Sequence, residues 1–431
     1  MTRKSGFVAN AALTVFVKFG GLVVGFVVSV LLSRILGPEQ RGVFAAVSGV
    51  SGLTLQVASF GLQGAFTYYG AREPRWSPGL LRIAVLTGLG SGGVAAATVW
   101  AVYAAAPNLF IDLPAIPLAF SLATVPLSLC ILYVQNLLLG WGAVLRFNAV
   151  DAINKALSTV LVPVWLLISP TVLVAMKATF WVQFLTAFLT VLFALTAIRR
   201  PSDPLPPSLK DVYAYGIRGY LNTGLVYLLV RSDILILNYY GVSKVGLGHY
   251  SVAAQLVDIL VIVPSTVGTL LFSRVAGNQQ DTGAFTAKAC RLLMVVYCSL
   301  VLSAALLAPV AVPFVFGRSY APAVRFFWLL LPGALGLGIV NPLSQDLAGR
   351  GMPWAAVFAW VPPLVVNLAI NFLFIPSHGI STAAISSSVA YLLAALIMAR
   401  LFLARARLSP SVLVPNFREA CTVAKQALWH R

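Results

Sequence analysis

Charged residues are scarce in this chain. Asp, Glu, Lys and Arg make up only 9% of its 431 residues, whereas soluble domains average about 25%. Hydrophobic residues make up 60%, which exceeds the roughly 45–50% of a soluble domain. This composition excludes a water-soluble fold and indicates an integral membrane protein, whose partner is the lipid bilayer.

Cysteine and histidine are also rare, with four and three copies. The cysteines have no Cys-x-x-Cys spacing, and His249, His378 and His430 are scattered, so we expect no disulfide framework, no metal site and no cofactor. No Walker A sequence or Ser-His-Asp arrangement appears. The loops between apolar runs are too short for an extramembrane catalytic platform. We therefore do not expect an enzyme.

Acidic residues are few, 11 against 29 basic ones, and the formal net charge is +18. A basic chain can bind nucleic acid, but the basic residues here are spread over loop after loop instead of forming one patch. That distribution argues against a nucleic-acid partner and is typical of loop charges in a membrane protein.

Twelve apolar runs follow one another, each long enough to supply the roughly 20 residues of a membrane-spanning helix. The first run is longer than a signal-peptide core and lacks a small-residue cleavage site, so we interpret it as an uncleaved span. The sequence thus predicts an all-α integral membrane protein with about 12 transmembrane helices. The runs cover residues 7–33, 43–69, 80–106, 114–139, 146–168, 172–198, 212–239, 247–273, 286–313, 324–345, 353–375 and 380–404.

Lys and Arg are distributed unevenly between the two sets of loops. With the N-terminus inside the cell, and with bases near span ends counted with the adjoining loops, 19 of the 29 fall in cytoplasmic segments, five in outer loops and five within spans. Cytoplasmic loops carry the basic excess in membrane proteins. The pattern predicts a multi-pass protein of the cytoplasmic (inner) cell membrane with both termini in the cytoplasm.

A proline-rich segment at residues 199–211 divides the chain into two sets of six spans. We expect an N-terminal bundle at 1–198, a cytoplasmic linker at 199–211, a C-terminal bundle at 212–404 and a basic tail at 405–431. The halves also match each other, because glycines at 37, 42 and 64 recur at 241, 246 and 268 with a constant offset of 204. Six spans in each half predict parallel repeats.

Three stretches carry a family resemblance. Leu32–Phe44 (LSRILGPEQRGVF) resembles the first outer turn of polysaccharide flippases in the multidrug/oligosaccharidyl-lipid/polysaccharide exporter (MOP) superfamily. Arg231–Gly246 (RSDILILNYYGVSKVG) is similar to the seventh span and the turn that follows it in that family. Asn367–Ile380 (NLAINFLFIPSHGI) is similar to its turn between spans eleven and twelve.

The resemblance implies two six-helix bundles around a central cavity that opens alternately to either side of the membrane. The implied cargo is a polyprenyl-diphosphate-linked oligosaccharide, which would move from the cytoplasmic to the outer leaflet for cell-surface polysaccharide synthesis. Polysaccharide polymerase machinery would be a further partner.

Apart from the bases counted with the adjoining loops, five bases and three acids lie within the predicted spans. A charge at the centre of a span costs about 2.5–3.5 kcal/mol, so it usually faces a cavity or a partner. Lys18 lies mid-span among glycines and could balance a diphosphate, or could pair with an acid such as Asp258. Arg231 and Asp233, two residues apart, face different sides of their helix. We expect a structural or gating role for this pair, and Arg231 is also a cavity candidate.

The remaining charges each have a local explanation beside a functional one. Asp151 and Lys155 are spaced i, i+4 and could neutralise one another, while Lys155 is also a candidate for binding the cargo. Lys177 and Arg218 lie near span ends, where they could bind cargo or extend to the interface. Asp258, deep in its span, is the candidate for coupling to a cation or proton.

Two other functions are open at this stage. A cation-coupled multidrug exporter of the same superfamily would use unpaired membrane acids, whereas the bases here outnumber the acids and favour an anionic cargo. A membrane glycosyltransferase or polymerase would use the same lipid-linked sugars but needs catalytic residues outside the bilayer, which the short loops do not supply.

Overall fold

The computed structural model describes residues 2–72, 77–198, 209–277, 283–350 and 354–414, and these ranges contain helices and connecting turns without a β-strand. The helices are α1 (Thr2–Ala58), α2 (Leu62–Arg72), α3 (Ser77–Ala105), α4 (Ala115–Gly140), α5 (Val144–Ile168), α6 (Val172–Leu195), α7 (Leu209–Tyr239), α8 (Lys244–Gly277), α9 (Ala284–Phe316), α10 (Ala323–Gly349), α11 (Trp354–Phe358), α12 (Val361–His378) and α13 (Ile380–Ala406). Short 3-10 turns occur at Pro107–Leu109, Arg318–Tyr320 and Pro410–Leu413.

The predicted spans correspond to these helices. Eleven helical stretches in the described ranges are long and apolar enough to cross a membrane. The first of them, Val23–Ala58, includes Gly37, where a non-helical backbone (φ 70°, ψ 174°) separates the first two predicted spans. In hydrocarbon there is no water to bond the backbone N–H and C=O groups, and a helix forms all of these hydrogen bonds within its own segment. This explains why the long apolar runs are helical. The protein is an all-α, multi-pass membrane protein with two repeat bundles.

The chain forms two compact units. Unit 1 comprises Met1–Tyr227 and Gly241–Gly248, and unit 2 comprises Leu228–Tyr240 and His249–Arg431. The predicted linker falls largely on residues 199–208, which lie outside the described residues, as does most of the predicted tail. The domain boundaries read from the sequence therefore remain predictions.

The glycine repeat has a structural counterpart within unit 1. Gly37 and Gly241, which match at the offset of 204, both have a left-handed backbone, with φ of 70° and 65°. Glycine adopts this region without steric cost, so both turns can reverse the chain sharply. Each turn also lies against the other, because a methyl group on Gly248 would overlap the backbone of Pro38 and one on Gly42 the backbone of Lys244.

Helices α3 and α4 pack closely together in unit 1. Gly88 and Gly92 on α3 face the backbone of α4 at Cys130 and Pro126. A methyl group on Gly88 would lie 2.8 Å from the Cys130 Cα and N atoms, which is shorter than any ordinary contact. Small residues spaced four apart let membrane helices approach closely, so this pair depends on glycine.

We expect Gly88→Ala to lower the thermal transition midpoint of the purified protein by several degrees, because two backbones must separate to admit the methyl group. Gly90→Ala on the same helix is the matched control, since nothing lies within 4 Å of a methyl group there. Fluorescence-detected size exclusion after heating measures both. Equal midpoints for the two variants would show that the glycine contact does not limit the packing.

Candidate functional site

A buried carboxylate organises the helices of unit 2. Asp233 on α7 is 2% exposed. It accepts hydrogen bonds from the Tyr250 hydroxyl (2.6 Å), the Asn371 Nδ2 (2.8 Å) and the Ser387 hydroxyl. Three donors around one carboxylate compensate for the loss of water on burial. Asp233 thereby joins α7 to α8, α12 and α13.

The amides of α12 extend this network. Asn371 Nδ2 also donates to Asn367 Oδ1 (3.3 Å), and the Ser386 hydroxyl donates to Asn371 Oδ1 (2.5 Å). All three side chains are fully buried. Sequence reasoning did not assign these residues to a site, although Asn367 and Asn371, spaced i, i+4 within an apolar span, were a usable signal for a buried polar face.

Arg231 and Asp258 form an ion pair between α7 and α8 of unit 2. The Arg231 Nη2 lies 2.8 Å from the Asp258 Oδ2, and each side chain is 40% exposed. The basic partner of Asp258 is therefore Arg231. Arg231 and Asp233 bond to different residues, as Asp233 accepts from Tyr250.

Lys155 lies near the middle of α5 in unit 1. It is the twelfth residue of the 25 in α5, and its side chain extends over α1. A methyl group on Gly21 would lie 3.6 Å from the Lys155 Cγ, and one on Gly25 would lie 3.7 Å from its Nζ. The side chain is exposed. Among the described residues, no hydrogen bond or ion pair engages its ammonium group.

The expected pairing of Asp151 with Lys155 is wrong for the described side chains. Asp151 Oδ1 accepts a hydrogen bond from the Gln135 Nε2 at 2.9 Å, which directs the carboxylate toward α4. Lys155 extends instead toward the glycines of α1. The spacing i, i+4 permits an ion pair, but contacts with two different helices draw the two side chains apart.

Lys177, a further basic candidate in unit 1, contacts an aromatic ring. Lys177 lies in the second turn of α6 with its Nζ 5.6 Å from the centroid of the Phe120 ring, a cation–π contact. The side chains of Lys18 and Arg218 lie outside the described residues. The backbone of residue 18 is helical, and by helical periodicity it shares the face of α1 that carries Gly21 and Gly25.

The three acids of the spans and Lys155 differ in their hydrogen bonding. The carboxylates of Asp151, Asp233 and Asp258 each accept protein hydrogen bonds, whereas the Lys155 ammonium group has no such partner in the described part of the chain. No group of three or more potential metal ligands occurs among the described residues. The chemistry that these groups can perform is the binding of an anion.

Comparisons with known proteins identify a family and a fold for this chain. A sequence model of the family described as "Polysaccharide biosynthesis protein" matches residues 31–325. A search of curated protein sequences gave no match.

Three solved structures are similar over nearly the whole chain. An inward-facing multidrug resistance MATE family transporter of the MOP superfamily has a TM-score of 0.72 at 16% identity, covering 88% of this chain and 94% of that one. The lipid II flippase MurJ in an inward closed conformation has a TM-score of 0.69 at 12% identity, covering 92% and 90%. A MOP superfamily transporter from Pyrococcus furiosus has a TM-score of 0.58 at 15% identity, covering 92% and 93%. At these identities the likeness shows the fold alone.

Proposed function

Because the chain belongs to the polysaccharide biosynthesis protein family and has the fold of the MOP superfamily, we propose that it is an alternating-access flippase for polyprenyl-diphosphate-linked oligosaccharides. It turns the lipid-linked sugar from the cytoplasmic to the outer leaflet of the cell membrane, with both of its own termini in the cytoplasm. The product supplies a polysaccharide polymerase, and the protein itself is not an enzyme.

One observation carries the choice of cargo. Lys155 places a positive charge midway along the membrane-spanning helix α5, without a described protein partner and against the glycine face of α1. A solitary cation at that depth is costly unless a cavity or an anion compensates for it. The diphosphate of the lipid carrier is such an anion, and the absence of side chains at Gly21 and Gly25 leaves room for its oxygens beside the ammonium group.

Lys18 is the second proposed contact for the diphosphate. It precedes Gly21 by three residues and Gly25 by seven, so the three positions lie along one face of α1. Two lysines on the facing surfaces of α1 and α5 would match the two phosphates of the carrier. Arg231, Lys177 and Arg218 are then secondary contacts along the path, and we propose that Asp233 supports the gate.

The rival function is a cation-coupled multidrug exporter, since one of the similar structures is a multidrug transporter. Such a transporter needs a membrane acid that can exchange a cation. Asp258 was the candidate, but its carboxylate lies 2.8 Å from the Arg231 guanidinium. A paired carboxylate has less attraction for a further cation, so the geometry favours the anionic cargo.

The decisive experiment is reconstitution of the full chain in liposomes that contain a fluorescent polyprenyl-diphosphate-linked oligosaccharide. Lipid that reaches the opposite leaflet is cleaved by an added membrane-impermeant glycosidase. We expect protein-dependent flipping of the diphosphate lipid and no ethidium transport in the same vesicles under an imposed sodium or proton gradient. Ethidium transport without flipping would contradict the flippase function and support the multidrug exporter function.

The membrane potential should assist outward transfer. The cargo carries about two net negative charges, and the potential contributes about 2.3 kcal/mol per charge per 100 mV, so a negative-inside potential of that size favours transfer by about 4.6 kcal/mol. Imposing potassium diffusion potentials of either sign at equal pH and ion gradients measures the effect. We expect faster outward flipping with the inside negative, and rates that ignore the sign would contradict electrogenic transfer.

A further inference from the structure

A small basic cavity lies in unit 2, away from the charges discussed so far. It has a volume of about 200 Å³ and is formed where α9 begins and where α10 and α13 end. Its lining includes Gly283, Asp346, Arg350, Phe402, Arg405 and Arg407. By the loop charges, these helix ends face the cytoplasm.

The first arginine of the cavity is held rigidly. Asp346 is 1% exposed and accepts from the Arg350 Nε at 2.9 Å and its Nη2 at 3.2 Å. The Thr286 hydroxyl donates to the same carboxylate at 2.7 Å. The Arg350 guanidinium is therefore fixed in position, and the charge of Asp346 compensates for its own.

The other two arginines of the cavity, Arg405 and Arg407, have no acidic partner among the described residues. Arg405 and Arg407 are exposed, and no side-chain hydrogen bond or ion pair engages either of them within the described ranges. With Arg350 and Asp346 cancelling, the described lining of the cavity carries a net charge of about +2. An anion that enters the cavity therefore meets two free guanidinium groups beside a fixed one.

The backbone shows that this arrangement is built into the fold. Arg407 caps α13 in a left-handed conformation, with φ of 53°, a region that glycine and asparagine adopt far more readily than arginine. Phe402, which lines the cavity, packs with Ala287, Cys290 and Leu343 in a buried cluster.

We propose that this cavity binds a phosphate group, presented either by the headgroup of an anionic lipid in the adjacent leaflet or by a soluble phosphate. Planar guanidinium groups pair with phosphate oxygens through two parallel hydrogen bonds, which favours phosphate over a compact halide. Basic pockets between membrane helices on the cytoplasmic side are suited to anionic headgroups, which are concentrated in that leaflet. This site is independent of the proposed transport function.

The test measures binding to the full chain in detergent by native mass spectrometry and by thermal stabilisation. The probes are dioctanoyl phosphatidylglycerol, dioctanoyl phosphatidylcholine and inorganic phosphate at matched concentrations. The variant is Arg405→Gln combined with Arg407→Asn, because asparagine suits the left-handed position and preserves the fold. Arg400→Gln, an exposed arginine on α13 outside the cavity, is the control.

We expect phosphatidylglycerol, but not phosphatidylcholine, to bind wild type and Arg400→Gln alike, and to bind the double variant at least about tenfold more weakly, because two charge-assisted hydrogen bonds are lost. Inorganic phosphate that stabilises wild type equally would support the site and assign it to a soluble ligand. Equal phosphatidylglycerol binding by wild type and the double variant, or equal binding of the two lipids by wild type, would overturn the proposal.

Discussion

Replacement of Lys155 by methionine is expected to slow the flipping of a polyprenyl-diphosphate-linked oligosaccharide by at least about tenfold. Methionine keeps the length and packing of the side chain but removes its charge. A hydrogen bond to a charged group contributes about 1.5–3 kcal/mol, and each 1.4 kcal/mol changes an equilibrium about tenfold. The ammonium group has no described protein partner to lose, so folding should be unaffected.

The same liposome assay measures this effect, with two comparisons. Lys155→Arg keeps the charge beside the glycine face of α1, and it should retain most of the activity. Lys288→Met makes the same chemical change at an exposed position near the start of α9, and it should match wild type. Flipping by Lys155→Met within twofold of wild type, with normal expression, would remove Lys155 from the cargo site.

Replacement of Asp233 by leucine should destabilise the protein severely. Leucine has the same branching at Cγ but cannot accept the hydrogen bonds of Tyr250, Asn371 and Ser387. Each buried polar group left without a partner costs about 1–3 kcal/mol, so the total is about 3 kcal/mol or more. For a unit of this size that corresponds to a midpoint lower by roughly 6 to 12 °C.

Asparagine at the same position separates hydrogen bonding from charge. The hydroxyl groups of Tyr250 and Ser387 can rotate to accept from the new amide while its oxygen still accepts from Asn371, so Asp233→Asn should lose much less stability. Asp112→Asn is the matched control, since Asp112 is exposed and has a φ of 51°, which asparagine tolerates. If Asp233→Leu melts within a degree or two of this control, the network does not stabilise unit 2.

Much of the fold was predictable because the bilayer imposes simple demands. Each predicted apolar run corresponds to helical residues, with α11 and α12 sharing the eleventh and α2 continuing the second. The matching turns at Gly37 and Gly241 were also visible as a constant spacing of glycines, and both have the positive φ that glycine permits.

The sequence identified charged residues of the candidate site but not the contacts that they make. Lys155 and Asp258 were visible as charges in apolar runs, but their partners were not. Local spacing suggested that Asp151 would pair with Lys155, whereas Gln135 from a different helix donates to the carboxylate. Sequence analysis did not identify Asp346 as a site residue. Asp346 follows the apolar run 324–345, and a charge at the end of a span needs no functional explanation.

The sequence by itself therefore determined the class of protein, the run of spans and the positions of sharp turns, because these follow from hydrocarbon thickness, backbone satisfaction and the conformational range of glycine. The tertiary structure decided which polar groups meet. Asp233 bonds to Asn371, 138 residues away, and Asp258 pairs with Arg231, 27 residues away. Such pairings depend on how helices distant in sequence pack together, and the local spacing of residues does not predict that packing.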